Sequence, residues 1–184
     1  LKVSPQLPLS GQDRFNVAAQ KLVPGLYQSA YSAKGDRLFV TAAVGRPPVT
    51  QSQLLKVNPR TLAVEAQVAP PAVPAPGTGV YAVYGVAVDD ANGTVWVTNT
   101  RQNTVAVYRQ SDLSLLKQFD AGLVDHARDV VVDEAQGKVY ASANGKPELV
   151  VFDAKRLERI KTIALATTER GGDKSFSPMS LELD

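Results

Sequence analysis

The chain of 184 residues has no cysteine, one histidine, one methionine and one tryptophan. Without cysteine it can form no disulfide, no thiolate nucleophile and no zinc–thiolate site. With His126 as its only histidine, it cannot build a metal site from a pair of histidines. The sequence also lacks any apolar run approaching the roughly 18 residues that a membrane-spanning helix needs.

The chain lacks a strong excess of either charge. It carries 20 Lys and Arg against 18 Asp and Glu, a formal net charge of +2. This balance argues against a strongly basic nucleic-acid binder, although a local basic patch is compatible with it. The chain begins at Leu1 and not at Met, which fits either a mature exported protein whose signal peptide has been removed or a shortened chain.

Three stretches of the chain are versions of one another: residues 26–68, 83–119 and 127–163. Each contains an apolar run, a turn with glycine and a short strand around an aromatic residue. These aromatics are Phe39, Trp96 and Tyr140, and they recur at intervals of about 44 to 57 residues, close to the repeat of roughly 40–50 residues that is typical of a propeller blade. We therefore predict an all-β propeller of four-stranded antiparallel blades.

The middle copy predicts its four strands most clearly, at 84–88, 94–98, 104–108 and 115–119. The turn 89–93 follows the first strand, and its Asn92-Gly93 predicts a hairpin, because both residues accept positive φ. The pairs Asp89-Asp90 and Asp133-Glu134 follow the first strand in two copies. We interpret them as turn stabilisers that accept backbone N–H groups, in preference to a Ca²⁺ site.

The remaining segments complete the predicted organisation. Residues 1–25 are expected to form an extended leader, and the Pro-rich stretch 69–79 should lengthen the link between the first two blades. Residues 178–184 are predicted as the first strand of a fourth blade, so about three and a half blades are present. A closed ring needs at least about four blades. We therefore predict that the ring continues in a longer chain, or that two copies close it together.

One stretch resembles a known family. The run Val-Trp-Val-Thr-Asn-Thr at 95–100, followed by Asn-Thr-Val-Ala-Val-Tyr at 103–108, resembles the Tyr-Val-Thr-Asn (YVTN) repeat family of bacterial β-propellers, with Trp96 in place of the tyrosine. The third copy keeps Val139-Tyr140 and Val151-Phe152-Asp153. The order of blades, with the Pro-rich insertion after the first, looks most like the YncE-like periplasmic proteins. The resemblance implies a seven-bladed ring, a periplasmic or secreted location, no defined reaction, and single-stranded DNA as a possible ligand.

The candidate site comes from the loops. In a propeller, the second-to-third and fourth-to-first strand connections share one face. Here they carry basic residues with interleaved aromatics, which could hold phosphates and stack bases or sugars, while Asp125, Glu148 and Glu169 on the same loops weaken the positive charge. The candidate ligand-binding residues are Arg46, Tyr81, Arg101, His126, Arg128, Lys146 and Arg170.

The function predicted from these residues is non-enzymatic binding or scaffolding in the bacterial cell envelope. The ligand would be single-stranded DNA or another polyanion, with no cofactor and no metal. One alternative is a propeller enzyme, either a lactonase-like hydrolase or a quinone-type dehydrogenase. The inner-strand starts offer Tyr84, Arg128 and Met179, and no obvious set of carboxylates for a lactonase metal. A further alternative is a protein–protein interaction module, which would show no salt-dependent binding of polyanions.

Overall fold

The computed structural model describes residues 19–166 and 177–183. Most of the predicted leader, and residues 167–176 with Arg170, lie outside this range. The described end of the leader, residues 19–25, forms no strand. It joins the first sheet through a hydrogen bond of 2.9 Å from the Ala43 N–H to the Gly25 carbonyl.

The described chain forms three four-stranded antiparallel sheets, and the strands of each sheet are hydrogen-bonded in chain order. Blade 1 contains β1 (Leu26–Ser32), β2 (Arg37–Val44), β3 (Gln51–Val57) and β4 (Val64–Val68). Blade 2 contains β5 (Val86–Asp89), β6 (Thr94–Asn99), β7 (Thr104–Arg109) and β8 (Leu115–Gln118). Blade 3 contains β9 (Ala127–Asp133), β10 (Lys138–Ala143), β11 (Glu148–Asp153) and β12 (Glu158–Ala164). The predicted all-β fold of four-stranded blades is confirmed.

The first strand of each blade is the innermost. β5 lies between β1 and β9 and contacts both, so the three inner strands line a central channel. Residues 177–183 run beside this channel, where the Leu181 N–H donates to the Asp129 carboxylate at 2.9 Å. They form no strand within the described range, in contrast to the inner strand predicted for 178–184. The physical reason is that no neighbouring strand offers them a hydrogen-bonded ladder.

The middle strands of blade 2 are packed on both faces. All six residues of β6 are buried, and successive side chains of a strand point to opposite faces. Val95 and Val97 join the apolar cluster towards blade 1, whereas Trp96 joins the cluster towards blade 3. A strand that packs between two blades is buried on both faces. Its sequence therefore does not alternate between apolar and exposed polar residues.

The two blade interfaces are filled differently. Between blades 2 and 3, Trp96, Phe119 and Phe152 form an aromatic cluster with ring centroids 4.8–6.0 Å apart. Such pairs contribute about 0.5–1.5 kcal/mol each beyond the area they bury. Between blades 1 and 2, Phe39 and Tyr108 pack among aliphatic side chains.

The turn between β5 and β6 lies within the predicted turn 89–93. It spans four residues, and only Gly93 has positive φ, at 67°. Asn92 instead binds the Asp89 carboxylate, through its backbone N–H at 3.0 Å and its side-chain amide at 2.8 Å. The Gln136 N–H binds Asp133 at 2.9 Å in the same way, which confirms that these two aspartates stabilise turns.

Candidate ligand-binding face

The connections between strands divide the blades into two ends. The second-to-third and fourth-to-first connections, including 45–50, 100–103, 119–126 and 144–147, form what we call the loop face. The hairpins 33–36, 90–93 and 134–137, with the third-to-fourth turns, form the turn face. All the candidate ligand-binding residues within the described range belong to the loop face or to the strand starts beside it.

The loops at the junction of blades 2 and 3 are joined by hydrogen bonds. The Asn103 side chain accepts the His126 N–H at 2.8 Å, and the Asn103 carbonyl accepts the Val124 N–H at 2.9 Å. The Gly145 N–H lies 3.3 Å from the Asp125 carbonyl. The loops that carry Arg101, His126 and Lys146 are therefore contiguous. Arg101 and Lys146 are exposed, whereas His126 is half-buried with φ at 48°.

Arg128 lies at the mouth of the central channel and stacks on an aromatic ring. Its guanidinium carbon is 5.3 Å from the centroid of the Tyr27 ring, and the guanidinium donates to the Tyr27 hydroxyl. Tyr84 meets Tyr27 edge-on at a centroid distance of 5.2 Å. We call Tyr27, Tyr84 and Arg128 the mouth residues. Tyr27 is 42% exposed, so an aromatic face beside a positive charge reaches solvent.

The mouth residues occupy the same position in the three repeats. The repeat aromatics Phe39, Trp96 and Tyr140 pair across the sheets with Ala30, Ala87 and Val131 respectively. Each mouth residue stands three positions before its partner in the inner strand. The fold therefore places one side chain from each blade around the same opening.

A hydroxyl in the second strand of blades 1 and 2 fixes the mouth residue of the blade that follows. The Thr98 hydroxyl accepts the Gly85 N–H at 2.8 Å and lies 3.5 Å from the Arg128 carbonyl of the next blade. The Thr41 hydroxyl is bonded in the same way to the Tyr84 carbonyl. Each mouth residue of blades 2 and 3 is thus tied through its backbone to the preceding blade.

A cavity of about 320 Å³ opens at the mouth. It is lined by Tyr27, Gln28, Arg128, Asp129, Met179 and Ser180. The Asp129 carboxylate accepts the Val130 N–H at 3.0 Å and the Leu181 N–H at 2.9 Å. Among the described residues, no carboxylate lies within ion-pair distance of Arg128. Within the described part of the chain, the charge of Arg128 is therefore not neutralised by an ion pair.

The structure does not gather all the predicted residues. Arg46 is exposed in the β2–β3 loop of blade 1. Tyr81 is buried at 8% exposure, and its carbonyl accepts the Asn99 side-chain amide at 3.1 Å, so its ring is not offered to solvent. Arg170 lies outside the described residues.

Sequence reasoning missed Tyr27 as a binding residue and noted Tyr84 only as the start of an inner strand. A signal for both was present. Alignment of the repeats on their central aromatics places the two tyrosines at the position of Arg128, which was predicted. That alignment follows the strand registers, which confirm it.

Comparison with solved structures supports one fold. The chain is similar to hydrazine synthase of Kuenenia stuttgartiensis, with a TM-score of 0.61 and 20% identity over 88% of this chain and 41% of that one. It is also similar to the WD40 repeats of RRP9, with a TM-score of 0.60 and 11% identity over 85% and 42%. The dihydro-heme d1 dehydrogenase NirN gives a TM-score of 0.56 and 18% identity over 77% and 29%.

The fold is a β-propeller. At these identities the likeness concerns the fold alone, and the chain spans less than half the length of each of these structures. No protein-family model and no curated protein matches the sequence. Two further findings concern the described residues only: no helix there is long and apolar enough to cross a membrane, and no three or more His, Asp or Glu side chains group there as a metal site.

Proposed function

We propose that this β-propeller is a non-enzymatic binding module that holds an anionic ligand on its loop face. The observation that carries the proposal is the ring of mouth residues, in which an exposed tyrosine face lies against the Arg128 guanidinium. A planar group can stack on the ring while an anionic group pairs with the guanidinium. Arg101 and Lys146, on contiguous loops, extend the positive charge outward from the mouth.

Single-stranded nucleic acid combines the two features that this surface recognises. Its bases offer flat faces, and its phosphates offer regularly spaced negative charges. Phosphate contacts by lysine and arginine make binding salt-dependent. An anionic polysaccharide shares the charge but not the aromatic bases, so the two ligands differ in how strongly they depend on Tyr27.

We propose the bacterial cell envelope as the compartment, on the strength of the YVTN-repeat and YncE-like resemblance of residues 95–108. The lack of cysteine is compatible with export. Fractionation of cells that express the full-length gene product tests this part separately. Recovery with cytoplasmic markers would contradict it without affecting the binding proposal.

The binding test uses a fluorescent oligothymidylate of about 15 nucleotides, long enough to span a single-strand site, and a sulfated polysaccharide as competitor. Replacing Arg101, Arg128 and Lys146 by alanine should weaken oligonucleotide binding at low salt by at least about tenfold. Replacing the exposed Lys155, Arg156 and Lys161 of blade 3 removes the same charge elsewhere and should have little effect. Equal affinity of the two triple variants for the oligonucleotide would contradict the proposal.

Tyr27→Leu separates the two ligand classes. Stacking of one base on an aromatic side chain is worth about 1–3 kcal/mol, so the affinity of the variant for the oligonucleotide should fall roughly five- to 150-fold. Polysaccharide binding should change little. An unchanged oligonucleotide affinity would show that charge alone drives binding.

A protein-interaction module is the second candidate. Leu26, Tyr27 and Val44 are 37–49% exposed on or beside the loop face, and exposed apolar groups favour protein contacts. The similarity to WD40 repeats fits this reading. Partner binding that is insensitive to salt and to the arginine substitutions would favour it. The enzymatic alternative would need a catalytic constellation, and the described residues of the loop face offer none that we can assign.

A further inference from the structure

A second opening lies at the opposite end of the molecule. Between blades 1 and 2, the turn face contains a cleft of about 600 Å³, within the size range of small-molecule sites. We call it the turn-face cleft. None of its residues belongs to the loop face. The residues that line it include Lys34, Arg37, Phe39, Lys56, Asp90 and Leu116.

The apolar floor of the cleft follows from the strand register of blade 1. Phe39 pairs with Lys56 across β2 and β3, so both side chains point to the same face of the sheet. Phe39 belongs to the cluster between blades 1 and 2 and is 1% exposed. Leu116 of β8 contributes further apolar surface. Beyond this floor, Arg37 and Lys56 continue the same face of blade 1 towards solvent.

Two ammonium groups at the cleft donate to backbone carbonyls and form no ion pair within the described residues. The Lys34 ammonium donates to the Asp90 backbone carbonyl at 3.1 Å, and the Lys56 ammonium donates to the Ser111 carbonyl at 3.2 Å. Neither lies within ion-pair distance of a carboxylate in the described chain. Both lysines belong to blade 1 and reach across to the backbone of blade 2, so their charges lie where the blades meet.

The two arginines of the cleft are already paired, and Asp90 is held by uncharged donors. Arg37 binds Glu65 at 2.5 Å, and Arg109 binds Asp112 at 3.2 Å. The Asp90 carboxylate accepts the Lys34 N–H at 3.0 Å, the Ser32 hydroxyl at 2.5 Å and the Gln110 amide at 3.1 Å. Lys34 and Lys56 therefore supply the positive charge that a ligand can recruit.

We propose that the turn-face cleft binds a small organic anion, a phosphate monoester with an apolar body. The phosphate would be held by the ammonium groups of Lys34 and Lys56, and the apolar body would rest on Leu116, with the buried Phe39 ring beneath it. Two ammonium groups suit a dianion better than a monoanion. The stems of the lysines add apolar contact at the rim. The site is independent of the loop face and of the function proposed for it.

The test is a titration of the ¹⁵N-labelled protein with phenyl phosphate, followed by the amide shifts of Gly35 and Gly93 in the cleft wall. Inorganic phosphate, benzoate and benzyl alcohol serve as partial ligands that lack the ring, the second charge or all charge. Phenyl phosphate should bind tightest. Equal binding of benzyl alcohol would overturn the role of the lysines, and equal binding of inorganic phosphate would overturn the role of the apolar floor.

Variants of the two lysines complete the test. Lys34→Gln with Lys56→Gln should weaken phenyl phosphate about tenfold or more, since each removes a charge-assisted hydrogen bond. Lys155→Gln, an exposed lysine on the turn face of blade 3, should stay within about twofold. Thermal unfolding of each variant shows that the fold is retained. An unchanged affinity in the double variant, or no shift at Gly35 and Gly93 in the wild type, contradicts the proposal.

Discussion

The two blade interfaces use the same strands but leave different space behind. Between blades 2 and 3, Trp96, Phe119 and Phe152 fill the interface with aromatic rings. Between blades 1 and 2, aliphatic side chains surround Phe39 and Tyr108, and a cleft opens at the turn face. The comparison shows that the repeat determines the strands of each blade. The side chains at the interface between two blades determine whether that interface is filled or keeps a cleft.

The largest effect is expected from disrupting the aromatic interface between blades 2 and 3. Trp96→Ala removes a fully buried ring that meets two other aromatics, and should lower the free energy of unfolding by about 3–5 kcal/mol. Urea denaturation followed by circular dichroism measures this loss. Trp96→Phe is the matched control: it keeps an aromatic ring and removes an indole N–H that has no described partner, so its cost should be clearly smaller. Comparable losses in the two variants would contradict the aromatic account of this interface.

A smaller effect should come from the hydroxyl that joins neighbouring blades. Thr98→Val keeps the shape of the side chain but leaves the buried Gly85 N–H without its 2.8 Å acceptor, which costs about 1–3 kcal/mol. Because the same hydroxyl lies near the Arg128 carbonyl, oligonucleotide binding should weaken as well. Thr162→Val, a half-buried threonine of the outer strand β12, is the control for the substitution. An unchanged free energy of unfolding in Thr98→Val would contradict the role of this hydroxyl in joining the blades.

The smallest expected effect is a change in stability at low pH, through Asp90 on the turn face. Burial raises the pKa of Asp90, but hydrogen bonds from the Lys34 N–H, Ser32 and Gln110 outweigh it and hold that pKa below its usual 3.8. A lowered pKa in the folded state stabilises the protein above the usual pKa, and this contribution is lost as the pH falls through the folded value. The stability difference between wild type and Asp90→Asn should therefore shrink below about pH 4. Denaturation at pH 6 and pH 3 measures it, and a difference that is equal at both pH values would contradict the assignment.

The repeats were sufficient to predict the three blades, because each copy shows the same order of strand and turn signals. Each of the four strands predicted for the middle copy overlaps an observed strand of blade 2. Tyr81 was expected on the surface, but its position beside Asn99 buries it, which depends on how a loop folds back. Tyr27 could have been found from the repeat position that it shares with Arg128.

The turn-face cleft could not be predicted. Its width depends on how closely Phe39 and Leu116 let two blades approach, and its charge depends on which lysines find carboxylate partners. Both are properties of packing between sheets and not of the pattern within one sheet. At the Asn92-Gly93 turn, by contrast, the stabilising role of the Asp89 carboxylate was predicted, and only the positive φ expected of Asn92 was wrong.

The measurement that tests the central claim most directly is the salt dependence of oligothymidylate binding to wild type and to Arg128→Gln. If the mouth of the channel holds a phosphate beside the Tyr27 ring, the slope of log K against log salt should fall by about one in the variant. A wild-type slope near zero, or an identical slope in the variant, would contradict the claim that Arg128 and the loop face bind an anionic strand.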